Sequence, residues 1–168
     1  MSDETTAAVV EGEGPRPAVA PGSAAPRLDF HINVPHRLLY ACRVVRKARA
    51  AGRSILVYAR DADRLARFDS ALWTFSALDF LPHVHAESPL APRTPVWLSL
   101  QPLPAARDVL VLLDDAIAPD FERWFAGYER VIEVVSQDDD DRQYARARYK
   151  AYKAAGFHPT THEAANGA

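Results

Sequence analysis

The chain has 168 residues, of which 48% are apolar and 10% aromatic, so its size and composition are those of one globular domain. Its formal net charge of -2 argues against a surface that holds nucleic acid by overall electrostatic attraction. The single cysteine, Cys42, excludes a disulfide framework and a cysteine-rich zinc site, and we expect its thiol in the core. The composition fits a soluble protein of the reducing cytoplasm, with neither a secretory signal nor a membrane-spanning run.

Both ends of the chain have the composition of unstructured segments. Residues 1–27 contain four of the 13 prolines, three of the seven glycines and no aromatic residue. Such a segment buries too little apolar surface to offset its chain entropy, so we predict a disordered arm rich in alanine and proline. Residues 158–168 are mostly small or polar and are predicted to form a flexible tail. The folded domain is therefore expected to span residues 28–157.

The first part of this domain alternates strand and helix patterns. Residues 28–33 alternate in polarity and predict a strand. Pro35 is placed to open a helix, and Gly52 is placed to end it. Residues 54–59 form a nearly continuous apolar run, which predicts a strand covered on both faces. Asp61 can cap the helix after this strand, whose apolar positions are Leu65, Phe68 and Leu72.

The second part continues the same alternation. Three more strands are predicted at residues 96–100, 109–113 and 131–135, with a short helix at 119–125 and a last helix at about 138–155. Strands that alternate with helices imply crossover connections between parallel strands. The predicted fold is therefore a single three-layer α/β/α domain with a largely parallel, mixed central sheet.

The sequence carries no motif for catalysis or for a cofactor. It contains neither GxGxxG nor GxxxxGK[ST], and the loop after the first strand, residues 33–36, has no glycine that would let the backbone approach a pyrophosphate. The segment VLVLLDD at residues 109–115 resembles the strand and acid that hold magnesium in ATPases, but acids at strand ends often cap the next turn or helix. His83 and His85 lack the further ligands of a zinc site. With no activated nucleophile either, we expect no catalytic residue, metal or cofactor.

The last predicted helix carries a cationic face. It begins with four aspartates and continues with five bases, Arg142, Arg146, Arg148, Lys150 and Lys153. Acids near the N-terminus of a helix and bases near its C-terminus complement the helix dipole. This explains the order of the charges along the helix but not their position around it. At about 100° per residue, four side chains fall within a stripe roughly 60° wide, with Lys150 at its edge. We call these four residues the basic stripe: Arg142, Arg146, Tyr149 and Lys153. The basic stripe suits binding of a short acidic peptide. The alternative is that this helix face is merely solvated.

A second segment leads out of the second helix and is rich in large apolar side chains. It includes Trp73, Phe75, Leu78, Phe80 and Leu81. Such residues belong either to the core or to an exposed patch that binds a partner, and the sequence alone does not separate the two.

Taken together, these segments resemble the chi subunit of bacterial DNA polymerase III, an accessory protein of the clamp-loader assembly. The resemblance rests on LDFHIN with the following ACRVVRKARAAGRSILVYARD, then on ALWTF, DFLPH, RDVLVLL, RVIEVVSQDDDD and ARARYKAYKAAGF. Their order and spacing agree across residues 28–157. The pattern ALW…F-PH followed by RYKxYKxxGF at this separation is specific to that family.

The resemblance implies a domain without enzymatic activity that pairs with the psi subunit of the clamp loader. It also implies binding to the acidic C-terminal tail of single-stranded DNA-binding protein, so that contact with DNA is indirect. By position, the tail-binding residues are Arg142, Arg146, Tyr149, Lys150, Lys153 and Val135. The psi-binding surface, which some members also use for a helicase, corresponds to Trp73 and Phe80.

Two other functions remain open from the residues themselves. One is a nucleotide-binding α/β enzyme whose phosphate site does not follow a familiar motif. The other is direct DNA binding through the basic stripe, which the negative net charge and the four adjoining aspartates disfavour.

Overall fold

The computed structural model describes residues 25–104 and 107–164. Within them the strands are β1 (Arg27–Val34), β2 (Ile55–Tyr58), β3 (His83–His85), β4 (Val96–Ser99), β5 (Val109–Leu112), β6 (Arg130–Ser136) and β7 (Thr160–Glu163). The α-helices are α1 (Arg37–Ala50), α2 (Ala62–Thr74), α3 (Phe121–Phe125) and α4 (Asp139–Ala154), and Ala91–Arg93 forms a single 3-10 turn. In these described ranges no helix combines the length and the apolar character needed to span a membrane.

The strands form one sheet in the order β3-β4-β2-β5-β6-β1-β7. Every pairing between described strands is parallel, because each strand is joined to the next by a crossover and not by a hairpin. The predicted single-domain α/β fold is confirmed, and the sheet is fully parallel where a mixed sheet was predicted. All strands begin at one edge of the sheet, here called the amino edge, and end at the carboxyl edge.

Apolar side chains pack on both faces of the sheet, which explains the continuous apolar runs of the central strands. In β2, Ile55 and Val57 pack with α1 and α2, whereas Leu56 and Tyr58 pack with α3 and α4. The predicted core positions Leu65, Phe68 and Leu72 of α2 are buried, as expected. Cys42 is also fully buried, and burial raises the pKa of its thiol to about 12, so the thiol is unreactive at neutral pH.

Local signals at the helix ends are largely as predicted. The Asp61 side chain accepts hydrogen bonds from the backbone N–H groups of Asp63 and Arg64 at 2.9 and 3.2 Å, and so caps α2. Gly52, at φ 77°, adopts the left-handed conformation that ends α1. Pro35 lies outside α1, because His36 is its N-cap residue and Arg37 its first helical residue.

Two strands, β3 and β7, lie outside the predicted set, and β7 corrects the predicted flexible tail over residues 158–168. Thr160–Glu163 pairs with β1, and the N–H of Ala164 donates to the carbonyl of Ile32 at 3.0 Å. A polar strand is stable here because it forms the sheet edge, where it needs only one hydrogen-bonding neighbour. The fold therefore extends past residue 157. Residues 1–24 of the predicted arm and residues 165–168 lie outside the described residues.

A buried ion pair fastens α4 to the sheet. The guanidinium of Arg148 on α4 donates to Glu133 of β6 through Nε at 3.0 Å, and its second contact, through Nη2, is 2.9 Å. Both side chains are almost completely buried, and the hydroxyl of Tyr152 donates to the other Glu133 oxygen at 2.8 Å. Burial lowers the pKa of Arg148, but the charge and hydrogen bond of Glu133, together with the nearby Tyr152 and Asp141, raise it more, so the net shift is upward. The charge of Arg148 is therefore retained inside the protein.

We expect Arg148→Met to lower the free energy of unfolding by about 3–5 kcal/mol, because it leaves the Glu133 carboxylate buried without its cation. Urea denaturation measures this loss. Arg146→Met, on the exposed side of the same helix, is the control and should change stability by less than about 0.5 kcal/mol. The double variant Arg148→Met/Glu133→Leu should recover much of the loss. Equal effects of Arg148→Met and Arg146→Met would contradict an anchoring pair.

Candidate functional site

A groove of about 340 Å³ lies beside α4, above the outer strands of the sheet. It forms because α4 packs on β6 while the sheet continues past the helix to β1 and β7. Four elements line it: Phe30 and Ile32 come from β1, Val135 from β6, Thr161 and Glu163 from β7, and the remaining wall comes from α4. This space is called the groove below.

Two cations of the basic stripe line the groove. Arg142 and Arg146 are exposed, and neither guanidinium makes an ion pair with a carboxylate of the described residues. One turn further along α4, Tyr149 lies edge-on to Phe30, with ring centroids 5.3 Å apart. The ammonium of Lys153 is 5.7 Å from the centre of the Tyr149 ring, close enough for a cation–π contact. Within the described part of the chain, the groove wall thus presents guanidinium groups without ion-pair partners beside an aromatic face.

The floor of the groove is apolar. Val135 of β6, which is 2% exposed, contributes to it together with Phe30, Ile32 and Ala145. Such a floor excludes water from an apolar side chain placed on it, while the arginines at its side can hold carboxylates through charged hydrogen bonds. The arrangement therefore suits a ligand that is acidic at one point and apolar at another.

Four of the six residues assigned to this site by sequence lie together in the groove: Val135, Arg142, Arg146 and Tyr149. The remaining two, Lys150 and Lys153, are exposed on α4 outside the lining. Lys153 reaches the site through its contact with the Tyr149 ring, whereas Lys150 adds only longer-range charge.

Sequence reasoning missed the strand that closes the groove. β7 supplies Thr161 and Glu163, and the signal for it was weak: two threonines, which favour strands, after the helix-ending Gly156. Glu163 is the one carboxylate among the described lining residues, and it accepts a hydrogen bond from the side chain of Asn33 at 2.7 Å. The negative charge on the β7 side therefore leaves the α4 side as the place for a ligand carboxylate.

A second exposed surface lies on the opposite layer of the fold. Trp73 at the end of α2 is 50% exposed, Phe80 is 72% exposed, and their ring centroids are 5.5 Å apart. Leu78, which is 95% exposed, lies in the same connection between α2 and β3. Trp73 and Phe80 are called the aromatic patch below. Their exposure agrees with the partner-patch alternative and excludes the core alternative for these two residues.

The aromatic patch rests on a fixed histidine. The ring of His83 lies 4.2 Å from that of Trp73, and its Nε2 is 2.7 Å from an Asp69 carboxylate oxygen. Its Nδ1 is 2.7 Å from the carbonyl oxygen of Leu81, so both ring nitrogens have protein partners. This arrangement is a support for Trp73 and leaves no ring nitrogen of His83 for a metal. Among the described residues, no group of three or more His, Cys, Asp or Glu side chains is arranged to hold a metal ion.

The carboxyl edge of the sheet holds a cavity of about 770 Å³, in the place where parallel sheets often bind nucleotides. Five aspartates line it: Asp115 and residues 138–141. Arg37 and Arg64 also line it, but both form ion pairs with Asp115, at 2.9 and 3.0 Å. Burial raises the pKa of Asp115, but the hydrogen bonds and the charges of these two arginines together lower it more, so the carboxylate is charged. A lining this rich in carboxylates disfavours a phosphate chain.

The acids of the VLVLLDD segment are both engaged by arginines. Besides the pairs of Asp115, the Asp114 carboxylate accepts from Nε of Arg60 at 2.7 Å. These contacts give the two acids a structural explanation.

Comparison with known proteins identifies relatives over most of the chain. Residues 26–160 match the family DNA polymerase III chi subunit, HolC. DNA polymerase III subunit chi of Escherichia coli (strain K12) is 33% identical over 123 residues, which cover 71% of this chain and 80% of that protein. The protein of the same name from Pseudomonas aeruginosa is 32% identical over 137 residues, covering 78% of this chain and 92% of that one.

A solved structure shares the architecture at much lower sequence similarity. The C-terminal domain of the DEAD-box protein Dbp5 superimposes with a TM-score of 0.51 and 11% identity, covering 83% of this chain and 91% of that chain. At this identity the likeness concerns the fold alone.

We expect Phe80→Ala to change the free energy of unfolding by less than about 1 kcal/mol, because most of its side chain already contacts water. Leu72→Ala is the control, because Leu72 directly precedes Trp73 but is only 1% exposed, and it should cost about 2–5 kcal/mol. Chemical denaturation of both variants measures the difference. Equal destabilisation would mean that Phe80 belongs to the core.

Proposed function

The chain belongs to the DNA polymerase III chi subunit family, and on this basis we propose that it is a non-enzymatic adaptor linking the clamp loader to single-stranded DNA-binding protein. Family membership gives it a part in DNA replication. The proposed adaptor has two contact surfaces, the groove beside α4 and the aromatic patch.

The groove is the proposed site for the acidic C-terminal tail of single-stranded DNA-binding protein. The observation that carries this proposal is the position of two arginines, which have no carboxylate partner among the described residues, beside an apolar floor. Arg142 and Arg146 can each donate two parallel hydrogen bonds to a carboxylate, and Tyr149 and Phe30 can flank an apolar side chain at the end of the peptide. A peptide with acidic residues before an apolar C-terminus fits both features.

The charges within the groove also favour one orientation of the peptide. Carboxylates are expected to lie along α4, because Glu163 on the opposite side repels them. Along α4 the arginines precede Tyr149, so the acidic residues should lie near the start of the helix and the apolar end near Tyr149.

We predict that Arg146→Ala weakens binding of an acidic peptide ending in Pro-Phe by about 1–3 kcal/mol, or roughly tenfold or more in affinity. Arg146 lies in the middle of the basic stripe, so its loss removes a charged hydrogen bond from the proposed contact. Raising the salt concentration should weaken the wild type more than the variant, because the lost attraction is the screened one. Calorimetric titration at two salt concentrations measures both effects.

Arg123→Ala is the matched control, since Arg123 is an exposed arginine on α3 outside the groove. It should leave peptide affinity unchanged, and melting curves should show both variants folded. Equal peptide affinity of Arg146→Ala and wild type at low salt would remove the groove as the tail site.

The aromatic patch is the proposed surface for the clamp-loader partner psi, or for a helicase in its place. Support comes from two large rings that contact each other and remain exposed, an arrangement typical of the centre of a protein interface. An ion pair of 3.1 Å between Arg46 and Asp79, together with a hydrogen bond from Ser76 to Asp79, holds the connecting segment in place. These contacts join Asp79, the residue before Phe80, to α1 and to the end of the segment that follows α2.

Trp73→Ala/Phe80→Ala is expected to weaken association with the psi subunit by about 2 kcal/mol or more, because buried aromatic anchors dominate such interfaces. The same double variant should bind the acidic peptide as the wild type does. Size-exclusion chromatography with purified psi, followed by peptide titration of the same sample, measures the two surfaces separately. If the double variant associates with psi as tightly as the wild type does, the psi interface lies elsewhere.

A further inference from the structure

The amino edge of the sheet carries one arginine at the start of each of five neighbouring strands. Arg27 and Arg130 are the first residues of β1 and β6, Arg53 and Arg107 lie two residues before β2 and β5, and Arg93 lies three residues before β4. Because β4, β2, β5, β6 and β1 are adjacent and parallel, these five residues lie along one edge. Four strand spacings make this row about 19 Å long. The five residues are called the arginine row.

The charge around the arginine row differs in sign from that of the whole chain. Two neighbouring cavities of about 340 and 360 Å³ lie along it. Among the described residues that line them, seven are cations, namely the arginine row with Lys47 and Arg49, and two are acids, Glu129 and Asp108. The formal net charge of -2 thus conceals a local excess of positive charge at this edge.

Three guanidinium groups of the row, those of Arg27, Arg53 and Arg130, are held in place but remain accessible. Arg27 and Arg130 both contact the buried carboxylate of Asp29, at 3.2 and 2.6 Å, and yet their side chains are 61% and 37% exposed. Arg53 pairs with Glu129 at 3.0 Å and is 49% exposed. Because the single carboxylate of Asp29 contacts both Arg27 and Arg130, it does not neutralise both guanidinium groups, and a net positive charge remains. Side chains fixed in this way lose little entropy when an anion binds.

The cavity at the end of the row holds an unsatisfied polar atom. Nδ1 of His31 lies 2.6 Å from the hydroxyl of Tyr40, whereas its buried Nε2 has no hydrogen-bond partner among the described residues. Burial and the neighbouring His162 lower the pKa of His31 to about 4, so the ring is neutral at physiological pH. When the Tyr40 hydroxyl donates to Nδ1, Nε2 carries the ring hydrogen, so a buried donor is left without an acceptor among the described residues.

We propose that the arginine row binds the phosphates of single-stranded DNA, a contact distinct from both surfaces described above. Guanidinium groups bind phosphates in bidentate fashion, and a regular row suits a regularly charged chain better than a short peptide with an apolar end. The twist of a parallel sheet curves the row, and a flexible single strand follows a curve that a stiff duplex does not. The chain that the row binds is therefore expected to be single-stranded.

The test is fluorescence anisotropy of a labelled oligo(dT) with the full-length protein at low salt. Lys47→Glu/Arg93→Glu reverses two exposed cations that make no ion pair with other described residues, so the fold should be preserved. We expect it to lower affinity roughly tenfold or more and to reduce the salt dependence of binding. Arg67→Glu/Arg123→Glu makes the same change of charge at exposed positions outside the row and its two cavities, and should lower affinity by at most about threefold.

Four results would overturn the assignment. The first is an absence of wild-type binding to oligo(dT) at low salt, and the second is an equal loss of oligo(dT) affinity in the two double variants. The third is tighter binding of a duplex than of the single strand. The fourth is loss of binding in Arg146→Ala with no loss in Lys47→Glu/Arg93→Glu. The last would assign the DNA contact to the groove. A fifth result, competition by a polyglutamate peptide as strong as that by unlabelled oligo(dT), would assign the row to acidic proteins.

Discussion

The ion pair between Arg148 and Glu133 determines which face of α4 is turned towards the sheet. Arg148 lies about 130° around the helix from the centre of the basic stripe, so fixing it inward turns the stripe outward. One helix therefore carries bases of two kinds. Arg148 is buried and structural, whereas Arg142 and Arg146 are exposed and form no ion pair with other described residues. A rotation of α4 by one residue would exchange these environments and bury an unpaired cation.

The groove depends on how far the sheet extends beyond α4. With β1 at the edge, the floor would end under the helix and leave little space beside it. The addition of β7 extends the floor by one strand and encloses the opposite side of the groove. A strand as polar as Thr160–Glu163 is tolerated only at an edge, because both faces of an interior strand would be buried in this fold. The polarity of β7 and its position in the site therefore have the same cause.

The sequence predicted those features that repeat within a single element. The periodicity of α2 identified its buried residues, the apolar runs identified β2, β4, β5 and β6, and the helical wheel separated Arg148 from the basic stripe. Features that depend on contacts between distant segments were missed. Glu133 lies inside an apolar strand, and nothing in the sequence indicated that it pairs with Arg148. The strands β3 and β7 are too short for alternation of polar and apolar residues to be informative.

The arginine row illustrates the same limit at the level of topology. Its five members are separated along the chain by loops and helices, and each by itself is an ordinary charge before a strand. Only the order of strands in the sheet brings them to one edge. Similarly, Phe30 was predicted in a strand, but its place in the groove follows from the pairing of that strand with β6 and β7.

The groove lies beside β7 and the aromatic patch beside β3, which are the two ends of the same sheet. Six strand spacings, or about 29 Å, separate these ends, and the two surfaces face opposite helical layers. Ligands at the two surfaces would therefore not compete for space. Once one ligand is bound, the domain acts as a rigid spacer that keeps its other surface at a fixed distance from that ligand. If the two ligands belong to one assembly, the second contact becomes intramolecular, and its strength is set by effective concentration as much as by the contact itself.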